Sequence, residues 1–396
     1  MDAEAIVIGA GIAGAACAYE LCQRGLDVLV IDDGPSGATQ AGMGHLVVMD
    51  DNPAELALSS ASLAIWRDWL VRMDSSCGYS HCGTLWIAAD EEEMQAAAEK
   101  QVRLQAAGIS SMLIDALALA TLEPALRRGL AGALQVVSDG VVYAPNAARW
   151  LLGQSGRQGP GSQGSQGGPQ GRISQSGQAA NGTKSTGSVR VLQAQVHTLE
   201  DGCVRLADGS RRSAPHIVLA AGLRAAALCP ELPLQAKKGH LAISARYPGM
   251  VHHQLVELGY VKSAHERSGT SVAFNVQPRP TGQLLIGSSR QFDTTDSAIE
   301  APILARMLRR ASHYLPGLGN LQIIRSWAGF RAATPDGLPL IGPHPQRPGL
   351  WLALGHEGLG VTTATGTAHL IAAGICASAC ALDGNAYLPV RCLQNV

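Results

Sequence analysis

Three glycines near the start of the chain have the spacing that a bound phosphate group requires. Gly9, Gly11 and Gly14 form a Gly-x-Gly-x-x-Gly pattern, and the acidic residues Asp32 and Asp33 follow. The first glycine allows a tight turn, the second lets the backbone approach a ligand, and the third lets a helix pack on a strand. A carboxylate about 20 residues after such a glycine pattern accepts hydrogen bonds from the ribose of a dinucleotide. The spacing therefore predicts a dinucleotide site.

The sequence also contains the elements that must position these residues. Residues 4–8 suit a buried parallel strand, residues 15–24 are helix formers that end before Gly25, and residues 28–31 form a second apolar run. Together they make a βαβ unit, whose helix start offers free N–H groups and a positive dipole end. A glycine-rich turn that binds no ligand is the alternative.

Further alternation of strand and helix patterns predicts an α/β fold. We expect a Rossmann-like dinucleotide-binding domain with an interleaved α+β substrate domain built on a mainly antiparallel sheet. The other predicted strands are residues 188–196, 216–220, 284–286 and 350–354, and the other predicted helices are residues 53–72, 91–107 and 146–152.

Charge balance bears on one class of partner, nucleic acid. The chain has 396 residues, 46 of them glycine, and a formal net charge of −1 from 30 basic and 31 acidic residues. This balance gives no bulk attraction to nucleic acid, so we expect no nucleic-acid partner.

Residues 153–187 are rich in Gly, Ser, Gln and Pro and have too few large apolar side chains to fold. We predict a disordered surface insertion there, with a partner-binding role as the alternative.

The cysteines are scattered and odd in number. Nine cysteines in a chain of this length suit a reducing compartment without a disulfide framework. Cys77 and Cys82 could be a redox or metal pair, but no second Cys/His cluster follows to complete a zinc site, so we predict no metal. Cys376 and Cys380 are expected one helical turn apart, as small buried packing residues.

The two ends of the chain bear on its location. Residues 1–4 are acidic, whereas an export signal begins with basic residues. Residues 358–382 predict a buried helix rather than a membrane span, because several threonines interrupt the apolar run. We expect a cytoplasmic protein without a transmembrane segment, with peripheral attachment to the inner face of the membrane as the alternative.

Two glycine-rich segments near the C-terminus help to distinguish a flavin dinucleotide from a nicotinamide dinucleotide. Residues 327–343 contain Gly-Phe-Arg followed by Thr-Pro-Asp-Gly-Leu-Pro-Leu-Ile-Gly, and residues 355–362 are Gly-His-Glu-Gly-Leu-Gly-Val-Thr. A flavin ring that extends across the molecule needs such distant backbone to cover it, whereas a nicotinamide does not. With the N-terminal fingerprint and residues 37–45 and 220–222, these motifs resemble the D-amino-acid oxidase superfamily of FAD enzymes. That superfamily includes glycine and sarcosine oxidases and D-amino-acid dehydrogenases.

The resemblance implies noncovalent FAD, because the sarcosine-oxidase cysteine that carries the flavin has no counterpart in residues 331–337. Residues 39–42 would lie along the pyrophosphate, ribityl chain and ring, and Val196 would contact the adenine side. Residues 357–361 would place N–H groups near the flavin N1–C2 oxygen region, where a reduced flavin gains negative charge. The implied FAD-binding residues are Gly9, Gly11, Ile12, Ala13, Gly14, Asp32, Asp33, Thr39, Gln40, Ala41, Gly42, Gly44, Val196, Ala221, Gly222, Gly329, Glu357, Gly358, Leu359, Gly360 and Val361.

The resemblance also implies three substrate-binding residues. Arg331 would bind the substrate carboxylate through its guanidinium fork, with a structural arginine paired to a core acid as the alternative. His45 falls where related enzymes place a side chain over the flavin, with a solvated loop histidine as the alternative. Asn275 lies near a position that is often a substrate-binding tyrosine. Where glycine oxidase has a second arginine after Gly-His, this chain has Glu357 and Gly358.

In domain terms, the FAD-binding domain would comprise residues 1–45, 146–225 and 326–396. The substrate-binding domain would comprise residues 46–145 and 226–325. A pyridine-nucleotide disulfide reductase would need a second fingerprint for its nicotinamide cofactor, and the sequence contains none.

The implied reaction is hydride transfer from the α-carbon of an amino acid to flavin N5. The Gly-His-Glu-Gly-Leu-Gly-Val-Thr form is closest to D-amino-acid and D-hydroxyproline dehydrogenases, so we expect a dehydrogenase that converts cis-4-hydroxy-D-proline to a pyrroline carboxylate. Oxidation of glycine, sarcosine or another D-amino acid is the alternative, as is an FAD-carrying subunit of a hetero-oligomeric amine dehydrogenase. The electron acceptor would be a quinone, a respiratory carrier or oxygen. The resemblance leaves oligomerisation open.

Overall fold

The computed structural model describes residues 1–34, 37–154, 187–259, 269–292 and 294–393. Nearly all of the segment 153–187 lies outside these residues, so its predicted disorder stays a prediction. In chain order the strands are β1 (Ala5–Ile8), β2 (Val28–Asp32), β3 (His45–Leu46), β4 (Thr84–Ala88), β5 (Ser111–Asp115), β6 (Gly132–Val136), β7 (Gly140–Val141), β8 (Val189–Gln193), β9 (Val196–Glu200), β10 (Cys203–Leu206), β11 (Arg211–Ser213), β12 (His216–Leu219), β13 (Gln235–Arg246), β14 (Gln254–Glu257), β15 (Thr270–Pro278), β16 (Gln283–Gln291), β17 (Ile323–Ala333), β18 (Leu340–Pro343) and β19 (Leu350–Leu354).

The α-helices are α1 (Ile12–Gln23), α2 (Ala38–Ala41), α3 (Pro53–Leu70), α4 (Glu91–Ala106), α5 (Ala116–Leu122), α6 (Ala144–Gly153), α7 (Ala225–Leu228), α8 (Ala301–Tyr314), α9 (Gly360–Ile375) and α10 (Val390–Leu393). Helix α3 begins where the sequence has an N-cap and a proline: Asn52 accepts a hydrogen bond from the N–H of Glu55, and Pro53 opens the helix.

A mainly parallel sheet carries the N-terminal βαβ unit. Its strand order is β18-β19-β12-β1-β2-β8, and only β18 runs antiparallel to its neighbour. Strand β1 is central, with Ile8 opposite Ile31 of β2 and Leu219 of β12. These strands are apolar runs because helices cover the sheet, and α1 packs against α6 and α9. The carboxyl ends of three strands therefore meet beside the fingerprint, and the predicted Rossmann-like domain is confirmed.

A second sheet has the order β17-β13-β16-β15-β14-β4-β6-β5. It is antiparallel except for the pair β14 and β4. The long strands β13 and β17 pair along most of their length, which sets Lys237 opposite Arg331 and Gly239 opposite Gly329. Helix α8 packs on β15 and β16. The predicted α+β part with a mainly antiparallel sheet is confirmed, while the domain boundaries stay a prediction.

Two predicted strands differ from the structure. Residues 188–196 form two strands: β8 belongs to the parallel sheet, and β9 begins at Val196 in a small antiparallel sheet with β10 and β11. The predicted strand 284–286 is only the first part of β16, which begins at Gln283 and extends to Gln291. Its later residues are polar but buried, so apolar composition did not reveal them.

The C-terminal helix is shorter than predicted, because α9 ends at Ile375. Cys376 lies at its C-cap, the following Ala377 has a φ of 47°, and the N–H of Ser378 returns to the carbonyl of Ala373. Cys376 and Cys380 are therefore not neighbours on a helix, and both are partly exposed rather than buried. All nine cysteines are free. Within the described ranges, none of the helices has the length and apolar character needed to span a bilayer.

Candidate functional site

The fingerprint glycines lie where β1, α1 and β12 meet. Gly9 has a φ of +105°, and a Cβ there would be 2.6 Å from the carbonyl oxygen of Ala220. A Cβ at Gly14 would overlap the carbonyl oxygen of Gly9, so only glycine allows the helix to approach the strand this closely. Gly11 is the N-cap of α1 and provides no side-chain cap. The first turn of α1, including Ala13, therefore offers backbone N–H groups and a positive dipole end.

The two acidic residues after β2 have different surroundings. Asp32 accepts hydrogen bonds from the N–H groups of Ala10 (2.7 Å) and Gly34 (2.8 Å), which fixes its carboxylate beside the glycine turn. Asp33 instead pairs with the partly exposed Arg224. Each carboxylate oxygen of Asp32 can accept a further hydrogen bond. The FAD contacts of Asp32 and Asp33 stay predictions.

Further predicted FAD-binding residues lie at the same edge of the parallel sheet. Ala221 and Gly222 follow β12, and Gly222, with a φ of +57°, begins a short 3-10 helix. Val196 begins β9 shortly after β8 ends, where the N–H of Ala194 donates to the carbonyl of Asp32. The structure thus brings these three predicted residues close to the fingerprint.

The segment from α2 to β3 connects this edge to the second sheet. Thr39 Oγ1 accepts a hydrogen bond from the N–H of Ile12 at 2.9 Å. On the other side, Trp327 of β17 donates its indole N–H to the carbonyl of Ala41, and a Cβ at Gly329 would overlap the Ala41 side chain. The glycine in β17 is therefore required because α2 packs directly on that strand.

One cavity lies between these segments. Fourteen of the predicted site residues line it: Ile12, Thr39, Ala41, Gly42, Gly44, His45, Asn275, Gly329, Arg331, Glu357, Gly358, Leu359, Gly360 and Val361. The other predicted residues are outside it: Gln40 is exposed on α2, and Gly9, Gly11, Ala13, Gly14, Asp32, Asp33, Val196, Ala221 and Gly222 are at the fingerprint edge. The predicted residues thus fall into a nucleotide edge and a cavity.

His45 lies in the cavity wall within a polar cluster, so the solvated-loop alternative is not what the structure shows. Its ring nitrogens are 2.6 Å from Gln254 Oε1, 2.7 Å from Gln277 Nε2 and 3.1 Å from Asn275 Nδ2. Burial lowers the pKa of His45 to about 4, and the nearby charges on Arg279 and Arg331 act in the same direction. The imidazole is therefore neutral at neutral pH.

Arg331 extends from β17 into the cavity. Its Nη1 donates to the carbonyl oxygen of Ser289 at 3.2 Å, and a Cβ at Gly239 on the neighbouring strand would be 2.8 Å from the same nitrogen. Glycine at 239 thus makes room for the guanidinium. Among the described residues Arg331 forms no ion pair with a carboxylate, which argues against the alternative of a structural arginine paired with a core acid. Its role toward substrate stays a prediction.

Sequence reasoning missed two cations beside Glu357. Arg290 Nη2 is 3.6 Å and Lys237 Nζ is 3.7 Å from Glu357 Oε1. Burial opposes ionisation of Glu357, but the charges on Arg290, Arg331 and Lys237 outweigh it and lower its pKa. The signal that could have revealed both cations is a charged residue within an otherwise buried strand, since such residues are seldom buried without a partner.

Two further acids in the cavity lining were also missed. Asp51 and Glu55 line it near the start of α3. Burial raises the pKa of Glu55 to about 7, and the neighbouring charge on Asp51 adds to this effect. The cavity therefore combines anionic and cationic groups, and Glu55 is only partly ionised at neutral pH.

The arrangement fits FAD in two respects. At the start of α1, Gly11 provides no side-chain cap and Thr39 bonds only the N–H of Ile12, so the glycine cradle suits a pyrophosphate; Gly9 and Gly14 have no space for a side chain. The start of α9, with the 3-10 helix Glu357–Leu359 before it, also has no side-chain cap, and its residues line the cavity. Each end offers N–H groups to an electron-rich ligand.

Three relatives align with nearly the whole chain. It is 26% identical to glycine oxidase of Geobacillus kaustophilus, over 92% of this chain and 91% of the relative. It is 24% identical to hydrogen cyanide synthase subunit HcnC of Pseudomonas aeruginosa (92% and 90%). It is also 24% identical to an opine oxidase subunit of Rhizobium meliloti (94% and 92%).

Solved structures share the fold. Glycine oxidase from G. kaustophilus superimposes with a TM-score of 0.79 at 22% identity, covering 98% of both chains. L-proline dehydrogenase from P. horikoshii superimposes with a TM-score of 0.79 at 19% identity, covering 98% of this chain and 97% of that chain. Iminodiacetate oxidase from Chelativorans sp. BNC1 superimposes with a TM-score of 0.76 at 21% identity, covering 97% of this chain and 98% of that chain. The FAD dependent oxidoreductase (DAO) family model matches residues 4–160 and 173–373. With the dinucleotide edge and the glycine-lined cavity, this match shows that the chain belongs to the DAO family of FAD-dependent oxidoreductases.

Proposed function

We propose that this chain is a dehydrogenase of a cyclic amino acid, cis-4-hydroxy-D-proline, and that its product is a pyrroline carboxylate. The observation that carries the proposal is the position of Arg331, whose side chain lines the same cavity as Gly329 and Gly358. A guanidinium binds a carboxylate through two parallel hydrogen bonds. Binding at Arg331 would therefore orient the α-carbon of an amino acid within the cavity.

The chain's own residues would hold the cofactor around this position. FAD, when bound, supplies the hydride acceptor for the oxidation. The start of α1 with Ile12 and the adjoining Thr39 would bind its pyrophosphate, and the backbone from Gly358 to Val361 would donate hydrogen bonds to the flavin ring. Because Arg331 lines the same cavity, the amino acid and the ring would share one space.

Two observations support a hydroxylated cyclic amine over glycine. Three similar proteins, an opine oxidase, an L-proline dehydrogenase and an iminodiacetate oxidase, are named for amino acids with a secondary amine. In addition, His45 and Asn275 give the cavity a polar wall, and burial keeps the imidazole neutral. The side-chain oxygen of Asn275 is buried and has no hydrogen-bond partner among the described residues, so it could accept a hydrogen bond from a ring hydroxyl group.

Anaerobic bleaching of the flavin tests the proposal. The FAD-loaded protein is mixed with cis-4-hydroxy-D-proline, its L-enantiomer, D-proline, D-alanine, sarcosine and glycine, and the loss of flavin absorbance is followed. We expect the fastest reduction with the hydroxylated D-imino acid. D-Proline should react about 10- to 100-fold more slowly, because polar groups that would bind the hydroxyl lose their partner. Faster reduction by glycine or sarcosine would overturn the hydroxyproline assignment in favour of the alternative substrates.

The acceptor is tested separately. With the preferred substrate, steady-state turnover is compared between air-saturated buffer and an anaerobic solution of a soluble quinone. Turnover at least tenfold faster with the quinone is expected of a dehydrogenase. Equal or faster turnover with oxygen would assign the chain as an oxidase.

A second candidate role follows from the names of two relatives. HcnC and the opine oxidase relative are both named as subunits, which favours an FAD-carrying subunit of a hetero-oligomeric amine dehydrogenase. Expression of this chain alone distinguishes the two roles. A yellow, monodisperse protein that turns over substrate with a quinone supports the self-sufficient enzyme. A yellow protein that is reduced by substrate but passes no electrons to the quinone supports the subunit role.

A further inference from the structure

Glu357 stands out in the cavity because its backbone does not favour a side chain of this kind. It has a φ of +47°, in the left-handed region that glycine adopts without strain. It begins the 3-10 helix Glu357–Leu359, and helix α9 follows directly, so the residue is held at the edge of the cavity. A carboxylate at a position suited to glycine indicates that the side chain contributes something at this site.

The Glu357 carboxylate is surrounded by cations from both long strands and from β16. Lys237 of β13 and Arg290 of β16 are within 3.7 Å of Oε1, and Arg331 of β17 lines the cavity beside them. The side chains of Lys237, Arg290 and Glu357 are 16%, 8% and 22% exposed, so solvent screens these charges poorly. Glu357 is within ion-pair distance of both Lys237 and Arg290.

We propose that Glu357 is a specificity-determining residue whose carboxylate occupies the place where a second acidic group of a substrate would bind. It restricts the cavity to amino acids with one carboxylate, which Arg331 binds. This inference rests on the proposed oxidation of an amino acid and on the proposed role of Arg331. It adds the chemical class that the site rejects: iminodiacids and acidic amino acids.

The charges explain the rejection. With Glu357 in place, a second substrate carboxylate near Lys237 and Arg290 would meet a like charge at close range, and Asp51 and Glu55 in the cavity lining add negative charge. Without Glu357, Arg290 in the cavity lining and the neighbouring Lys237 would have no carboxylate from that turn beside them. An anionic group of the substrate could then pair with them.

The test compares two unreactive ligands that differ by one carboxylate. Methylthioacetate and thiodiacetate are titrated into the FAD-loaded protein at pH 8, and dissociation constants are obtained from the change in flavin absorbance. The wild type should bind methylthioacetate at least tenfold more tightly. In Glu357→Gln, which removes only the charge, the affinity ratio should shift toward thiodiacetate by at least tenfold. In Glu357→Gly, which suits the backbone and also makes room, it should shift further.

Glu231→Gln is the matched control. Glu231 is also a carboxylate beside an arginine, with Arg347 at 3.5 Å, but it lies outside the cavity. Its variant should keep the wild-type affinity ratio. An unchanged ratio in both Glu357 variants, with methylthioacetate still bound, would overturn this inference alone. If neither ligand perturbs the flavin of the wild type, the proposed amino-acid site and the inference both fail.

Discussion

The nucleotide edge and the substrate wall of the cavity are built by opposite means. At the edge, the shape comes from backbone: Gly9 and Gly14 leave no space for side chains, and the start of α1 presents N–H groups. At the wall, the properties come from charged and polar side chains such as Arg331, Glu357 and His45, which extend from the second sheet, the turn before α9 and β3. Backbone sites depend on the space between main chains, whereas side-chain sites depend on charge and burial.

The first prediction tests whether the nucleotide edge can accommodate a side chain in place of a glycine. Gly14→Ala should have the largest effect, because its Cβ would overlap the Gly9 carbonyl and separate α1 from β1. We expect at least 100-fold weaker FAD binding, measured by flavin fluorescence after removal of free cofactor. Gly319→Ala is the control, since a Cβ there meets no atom within 4 Å. Full FAD affinity in Gly14→Ala would contradict the role assigned to backbone packing.

Replacement of Arg331 by Leu should weaken substrate binding without weakening FAD binding. Loss of the guanidinium removes a charge-assisted pair worth about 2–5 kcal/mol, so kcat/KM should fall about 30- to 5000-fold, mainly through KM. FAD content should stay that of the wild type. Arg325→Leu is the control, because Arg325 lies on the same strand but is exposed and stacks on Trp327. Unchanged kinetics in Arg331→Leu would refute the assignment.

The neutral His45 predicts a pH dependence of folding. Its pKa is about 4 in the folded chain and near 6.5 when unfolded, so below pH 6.5 the unfolded state gains a proton that the folded state does not. Stability should fall as the pH drops from about 6.5 to 4, by about 2 kcal/mol between pH 7 and pH 5 from this residue. Urea unfolding at saturating FAD measures it.

The histidine variant isolates this contribution. His356 also has a pKa lowered to about 4 by burial, so it contributes to the same loss in the wild type. The difference between the wild type and His45→Asn removes that shared part, and the variant should lose less stability on acidification. Equal losses in the two proteins would show that the imidazole of His45 is not held neutral.

The smallest effect is expected at Asp33. It pairs with the partly exposed Arg224, and exposed ion pairs contribute at most about 1 kcal/mol. Asp33→Ala should therefore change the dissociation constant of FAD by less than about threefold. Asp32→Ala should weaken binding more than tenfold, because Asp32 bonds to the glycine turn. Comparable losses in both variants would show that Asp33 also contacts the nucleotide.

Much of the fold was predictable because its signals are local. The strands 28–31 and 350–354 and the helix 91–107 were recognised from apolar runs and helix formers, and they match the observed elements within a residue or so. The second half of β16 was not recognised as a strand, because its residues 288–291 are polar although neighbouring strands bury them. Local hydrophobicity does not register burial that comes from pairing with distant segments.

The candidate site divides in the same way. Gly9, Gly14 and Asp32 stand within one βαβ unit, so their spacing alone indicated a dinucleotide. Lys237 and Arg290 are far from Glu357 in sequence, and no spacing rule relates them. Their importance became visible only when the strands placed them beside the carboxylate.

The sequence by itself determined the dinucleotide turn, the α/β architecture and the family, because glycine conformation and hydrophobic periodicity are properties of neighbouring residues. The tertiary structure decided which charges share the cavity, that His45 is neutral, and that Glu357 sits among cations. Desolvation and Coulomb interaction depend on distance in space and on the surrounding medium, and neither can be calculated from separation along the chain.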